Sequence, residues 1–119
     1  MTNKLVGVLL RFREDPIAFL ADIQAMFCQV RVSLEHRNLL KFLWFEDGDY
    51  NKPKEEYQML IHSFEAKSSP SCAGFCLRRV AEEFKEEFSP EAIETIRKNF
   101  YVDDCLKSVP DTQTAVQLI

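Results

Sequence analysis

Asn99-Phe-Tyr-Val-Asp-Asp-Cys-Leu-Lys-Ser-Val109 reads as two short strands around an acidic tip: aromatic and β-branched residues flank two aspartates, which favour turns. On either side, Pro110-Asp-Thr112 opens a final helix, and Ser89-Pro90 opens another just upstream, with serine at the cap and proline where a missing N–H costs nothing. Ser69-Pro70 repeats that signal. The longest helix follows it, with Ala73, Phe75, Cys76, Leu77, Val80, Ala81 and Phe84 expected along one broad apolar face. Leu39-Leu-Lys-Phe-Leu-Trp-Phe45 and Tyr57-Gln-Met-Leu-Ile61 predict an antiparallel hairpin whose loop runs from Glu46-Asp-Gly-Asp49 through Asn51-Lys-Pro53. Ile17-Ala-Phe-Leu-Ala21, between Pro16 and Asp22, has the pattern of a buried strand that delivers Asp22 at its end. A short helix over Leu5 to Arg13 and one or two helical turns between Ile23 and Val30 complete the reading. The expected fold is α+β, an antiparallel sheet with helices packed on one face and three aspartates at one end.

The 119 residues, 46% of them apolar, suffice for one core but not two, so residues 1–119 are read as a single domain. A charged content of 29% with three glycines and five prolines excludes a disordered or low-complexity chain. The formal charge of -4 argues against autonomous binding of nucleic acid, which calls for a basic surplus. Arg11, Arg13, Arg78, Arg79, Lys98 and Lys107 are offset by Glu82, Glu83, Glu86 and Glu87, as on solvated helix faces. Leu5-Val-Gly-Val-Leu-Leu10 is too short for a secretory leader, so Cys28, Cys72, Cys76 and Cys105 are expected reduced, as small core residues. No apolar run reaches the roughly 18 residues of a membrane span, and a soluble, intracellular protein is expected.

Asp22 on one element and Asp103-Asp104 on another are the residue types that hard divalent cations need. A two-metal phosphoryl-transfer site draws carboxylates from separate elements onto ions about 3.5–4 Å apart. The same residues also suit plainer roles: paired aspartates are ordinary turn residues, and an aspartate after a strand often caps a helix.

Phe100-Tyr-Val-Asp-Asp104 resembles the Tyr-X-Asp-Asp signature of reverse transcriptases, and Phe19-Leu-Ala-Asp-Ile-Gln-Ala-Met-Phe27 resembles the motif carrying their first catalytic aspartate. Between them, His62-Ser-Phe-Glu-Ala-Lys-Ser-Ser-Pro70 looks like the loop that enters that family's long palm helix. The wording of Leu5-Val-Gly-Val-Leu-Leu-Arg-Phe-Arg13, Phe42-Leu-Trp44, Ser69-Pro-Ser-Cys-Ala73 and Asn99 to Ser108 is similar to the BEL/Pao class of LTR retrotransposons, over essentially the whole chain.

The resemblance implies a polymerase palm-like sheet, with Asp22, Asp103 and Asp104 as catalytic ligands of Mg2+ or Mn2+ and the Ile23 carbonyl as an extra ligand. It implies Phe27 against the ribose of the incoming nucleotide and Tyr101 beside the primer end. Phe27 reads equally well as a core phenylalanine, and Tyr101 as a half-buried strand aromatic. The implied partners are an RNA or DNA template-primer, a deoxynucleoside triphosphate and the remainder of a Pol polyprotein, in a cytoplasmic retroelement particle and with no membrane. The implied reaction is RNA-directed DNA polymerisation by attack of a primer 3'-hydroxyl on the α-phosphate.

Two departures stand out. The basic fingers that would grip a triphosphate and the thumb that would hold a duplex are not in the sequence, so this palm fragment is expected to be inactive alone. Glu65 stands where the family carries a glycine, and an anionic side chain there should repel a triphosphate. The competing reading is a catalytically inactive, host-retained domain that serves as a protein-interaction module. A plain small α+β domain with turn aspartates ranks behind both.

Overall fold

Strand β1, Ile17–Asp22, pairs antiparallel with β5, Asp104–Val109, and β5 pairs with the two-residue β4, Phe100–Tyr101, giving the sheet order β1-β5-β4. The computed structural model describes residues 3–63 and 66–119, so the reading made for Glu65 lies outside the described residues. Helices α1 (Leu5–Arg11), α2 (Ser69–Glu83), α3 (Pro90–Lys98) and α4 (Thr112–Leu118) accompany the sheet, and the expected α+β class is found. Strands β2 (Lys41–Phe45) and β3 (Lys54–Gln58) form a separate antiparallel hairpin.

β1 is not buried along its length. Residues that alternate along a strand point to opposite faces. Ile17, Phe19 and Ala21 share the helix-covered face with Cys105 and Val109, whereas Leu20 lies on the other face and is 70% exposed. The second face is open around Leu20 and Asp22 and covered only farther along, where Ser108 is buried with its hydroxyl donating to the Arg11 carbonyl, so a continuous apolar run does not become a fully buried strand.

The helix signals hold with one shift. Ser89 caps α3, its hydroxyl accepting from the Ala92 N–H at 3.2 Å, while Glu91 in the first turn and Arg97 and Lys98 in the last match the helix dipole. Ser89→Ala should therefore cost about 1 kcal/mol, read as a lower urea midpoint at unchanged slope. At α2 the cap position falls to Ser68, without a side-chain capping bond. Ser69 is already helical and fully buried, and its hydroxyl donates to the Ser63 carbonyl at 2.7 Å.

Along α2, Ala73, Leu77 and Ala81 follow one another at four-residue steps, and the two alanines are buried. Phe75 lies about 200° around the helix from Ala73 and is 67% exposed. Val80 and Phe84 are also substantially exposed, so the buried stripe is narrower than the apolar content of α2 suggested. Of the cysteines only Cys105 is buried, and burial pushes its thiol up to about 11. Cys72 and Cys76 are half-buried, and Cys28 is exposed on the 3-10 turn Met26–Gln29, where neither sheet nor helix covers it.

At α4, the Asp111 carboxylate accepts from the Thr114 N–H at 2.8 Å and from the Thr114 hydroxyl at 3.1 Å, and these bonds lower its pKa below 3.8. A depressed carboxyl pKa contributes stability above the unfolded value that is lost as pH falls through the folded one. α4 should thus fray below about pH 3.8, and Asp111→Asn should flatten that acid limb in amide exchange.

The hairpin begins later and is more polar than expected. Its second strand is Lys54–Gln58 rather than Tyr57–Ile61, because the ladder pairs Lys41 with Gln58 and Phe45 with Lys54. Leu39 and Leu40 belong to the preceding 3-10 stretch Leu34–Leu40. Among the described elements, that stretch is the hairpin's one substantial packing partner. Both faces of the arm meet water, so apolar content is a poor guide to where its strands begin. The chain measures 59 × 27 × 26 Å with a radius of gyration of 18.6 Å, against about 13–14 Å for a compact domain of this length.

Candidate functional site

The two aspartate-bearing segments meet because of register. Asp22 is directly opposite Asp104 in the β1–β5 ladder, and Asp104 is directly opposite Tyr101 in the β4–β5 ladder. Directly opposed residues share a face, with Cα atoms about 4.5–5.5 Å apart. Tyr101, Asp104 and Asp22 therefore form one row across all three strands, on the face opposite Phe100, Cys105 and Ala21. The next row on the acidic face holds Leu20 opposite Leu106. Leu20, Ala21, Asp22, Asp104 and Leu106 line an open depression of about 380 Å³ at the end of the sheet.

Asp103 occupies the turn. Its carbonyl accepts from the Ile23 N–H at 3.0 Å, which extends the ladder one step past Asp22 and fastens the strand end to the acidic tip. Ile23 is half-buried against the core formed by Met26, Phe27 and Ala73. Phe27 itself is 9% exposed and belongs to that core.

Val102 and Asp103 are the two central residues of the hairpin. Val102 has φ 57° while Asp103 is not left-handed, the pattern of a type II' turn, whose first central position ordinarily takes glycine. A β-branched residue there is strained, and such strain persists only where the surroundings over-determine it. The restraint is visible: the Val102 side chain packs on the Met26–Phe27–Ala73 core. Sequence reasoning missed Val102 as a positioning residue. The signal was a two-residue loop with neither glycine nor asparagine in it.

Among the described residues, no group of three or more histidine, cysteine, aspartate or glutamate side chains converges closely enough to hold a metal ion. The unit brought together is the Asp22–Asp104 pair. Two exposed carboxylates on one face fit a hard cation such as Mg2+, which is commonly held by one or two carboxylates and keeps several waters. No family model matches the chain, and no characterised protein is found to be similar to it. No helix among the described residues is long and apolar enough to cross a membrane.

Proposed function

We propose that this chain is a palm-like segment of a reverse transcriptase of the BEL/Pao retrotransposon type, serving metal-dependent transfer of a deoxynucleotide to a primer 3'-hydroxyl in a longer Pol product. The observation that carries the reading is the Tyr101–Asp104–Asp22 row on the open face of an antiparallel sheet whose other face is covered by helices. In this reading Asp22 and Asp104 hold the cation, and Asp103 approaches it from the turn. The Ile23 carbonyl lies one residue past Asp22, and Tyr101 flanks the primer end. Val102 and Phe27 position the tip from behind. A hard divalent cation bound there supplies charge neutralisation at the phosphate under attack and lowers the pKa of the attacking hydroxyl.

Template, primer, triphosphate and the rest of a Pol polyprotein, in a cytoplasmic particle, are the partners this reading requires. Titration of the purified chain with Mg2+ or Mn2+ by calorimetry tests it. Heat that disappears in Asp22→Asn and Asp104→Asn supports a surviving centre, and heat indifferent to both substitutions removes the reading. The second reading, an inactive protein-interaction module, is favoured by the exposed surface. The chain exposes 8945 Å², whereas a self-contained monomer of its mass exposes about 6,700 Å².

A further inference from the structure

The excess surface includes an arm whose two faces differ in chemistry. In the β2–β3 ladder Phe42 is opposite Tyr57 and Trp44 is opposite Glu55, so three aromatic rings and one carboxylate share a face. The Phe42 and Tyr57 rings stack at 5.7 Å between centroids, and Tyr50 meets Trp44 edge-on at 6.2 Å. Trp44 is nevertheless 48% exposed, and Phe42 is similarly open. On the opposite face Leu43 is exposed but the charges are engaged: Lys41 pairs with Glu56 at 2.7 Å, and the Lys54 ammonium lies 5.4 Å from the Phe45 ring centroid.

The charges around the aromatic face are unbalanced. Glu46 and Asp47 share a single cation, Lys52, at 3.7 and 2.8 Å. Glu55 has no basic partner among the described residues. Partial desolvation, then the carboxylates of Glu55, Asp47 and Glu46, raise the pKa of the Tyr57 phenol, which places all three acids within electrostatic reach of the rings. Aromatic faces attract cations through their quadrupole, and guanidinium groups stack on them more readily than ammonium groups do. Aromatics and arginine are also the side chains that dominate protein interfaces. A nucleic acid would find stacking platforms here, but the cation beside them, Lys52, is already shared by two carboxylates and the acids would repel its phosphates.

We propose that the aromatic face of the β2–β3 arm docks an arginine-bearing segment of a partner protein, with guanidinium planes lying on Trp44, Phe42 and Tyr57 and Glu55 pairing their charge. The inference stands apart from the metal-site reading, because none of its residues lies in the β1-β5-β4 sheet. A two-stranded hairpin is marginal by itself, and such a partner would supply the packing the arm lacks.

Trp44 is the only tryptophan in the chain, so its fluorescence reports this face directly. The intact chain is titrated with a short peptide bearing arginine at alternate positions, with the same peptide carrying glutamine instead, and with oligothymidylate. The expected result is a saturable change in Trp44 emission with the arginine peptide only, weakened by added salt. Glu55→Gln and Phe42→Ala should each weaken it about two- to fivefold, and the double variant more than either. Glu55→Gln keeps the side-chain shape and does not endanger folding. No response, an equal response to the glutamine peptide, indifference to Glu55→Gln, or tighter binding of oligothymidylate would each overturn the proposal.

Discussion

Asp104→Asn is expected to abolish divalent-cation binding and, in metal-free buffer, to raise the melting temperature. Both effects follow from one geometric fact: Asp104 and Asp22 are directly opposed on the same face of an antiparallel pair. Like charges in that arrangement repel and destabilise the ladder, and an amide in place of either carboxylate removes the repulsion while keeping the size. A rise of roughly 1–4 °C is expected for a chain of this length, and it should shrink at high ionic strength because both residues are exposed.

The binding side of the same experiment is larger. Loss of a hydrogen-bond partner outside a metal's ligand shell already costs ten- to a hundredfold, so loss of one of two ligands should weaken binding by more than about a hundredfold. Asp22→Asn should behave alike. Asp103→Asn, on the turn and with no carboxylate across from it, should leave the melting temperature nearly unchanged. A stable protein whose cation heat survives Asp104→Asn would remove the observation on which the polymerase reading rests. A fall in melting temperature would mean that the pair is structural.

Phe27→Ala should be the most damaging single substitution among the candidate site residues. The ring lies in the Met26–Phe27–Ala73 core, and truncation of such a buried phenylalanine costs about 3–5 kcal/mol. Domains of this size have only about 5–15 kcal/mol in total, and the large exposed surface places this one toward the lower end. Phe27→Ala should therefore be partly unfolded in water, with a urea midpoint near zero. Phe27→Leu, which refills much of the space, should recover more than half of the loss.

The same core holds Val102 at φ 57°, so a softened core should also release the acidic turn. In Phe27→Leu, cation affinity should fall even where the fold survives. An alanine variant as stable as the parent would contradict the placement of the ring.

Much of the fold could be read from local chemistry. Ser89-Pro90 and Pro110-Asp-Thr112 set their helices through capping geometry that depends on neighbours three residues away, and both were found where the residues indicated. The tip between Tyr101 and Asp104 was legible for the same reason.

Readings that depended on what covers a surface fared worse. Phe75, Val80 and Phe84 were expected in the core and are exposed, since α2 has a neighbour along the Ala73–Leu77–Ala81 stripe and little elsewhere. Lys54-Glu55-Glu56 forms half a strand despite its charge because pairing with Phe45, Trp44 and Leu43 decides it. At the site, residue types identified Asp22 and Asp104 as candidates. Their opposition across a ladder is a matter of register, which no local pattern contains.

That register has a kinetic consequence. Asp22 and Asp104 are separated by roughly eighty residues of chain, and among the described residues the ladder between their strands is the strand pairing of longest range. Closing such a loop costs entropy before any contact repays it, and chains dominated by distant pairings fold in milliseconds to seconds rather than microseconds. The β2–β3 arm and the helices can form early from nearby residues, whereas the acidic row cannot exist until β5 docks on β1. Until then both edges of β1 are unpaired, and an exposed strand edge is prone to pair with another chain. The step that completes the carboxylate pair thus also closes one of the two edges of β1, which remains the outer strand of the sheet.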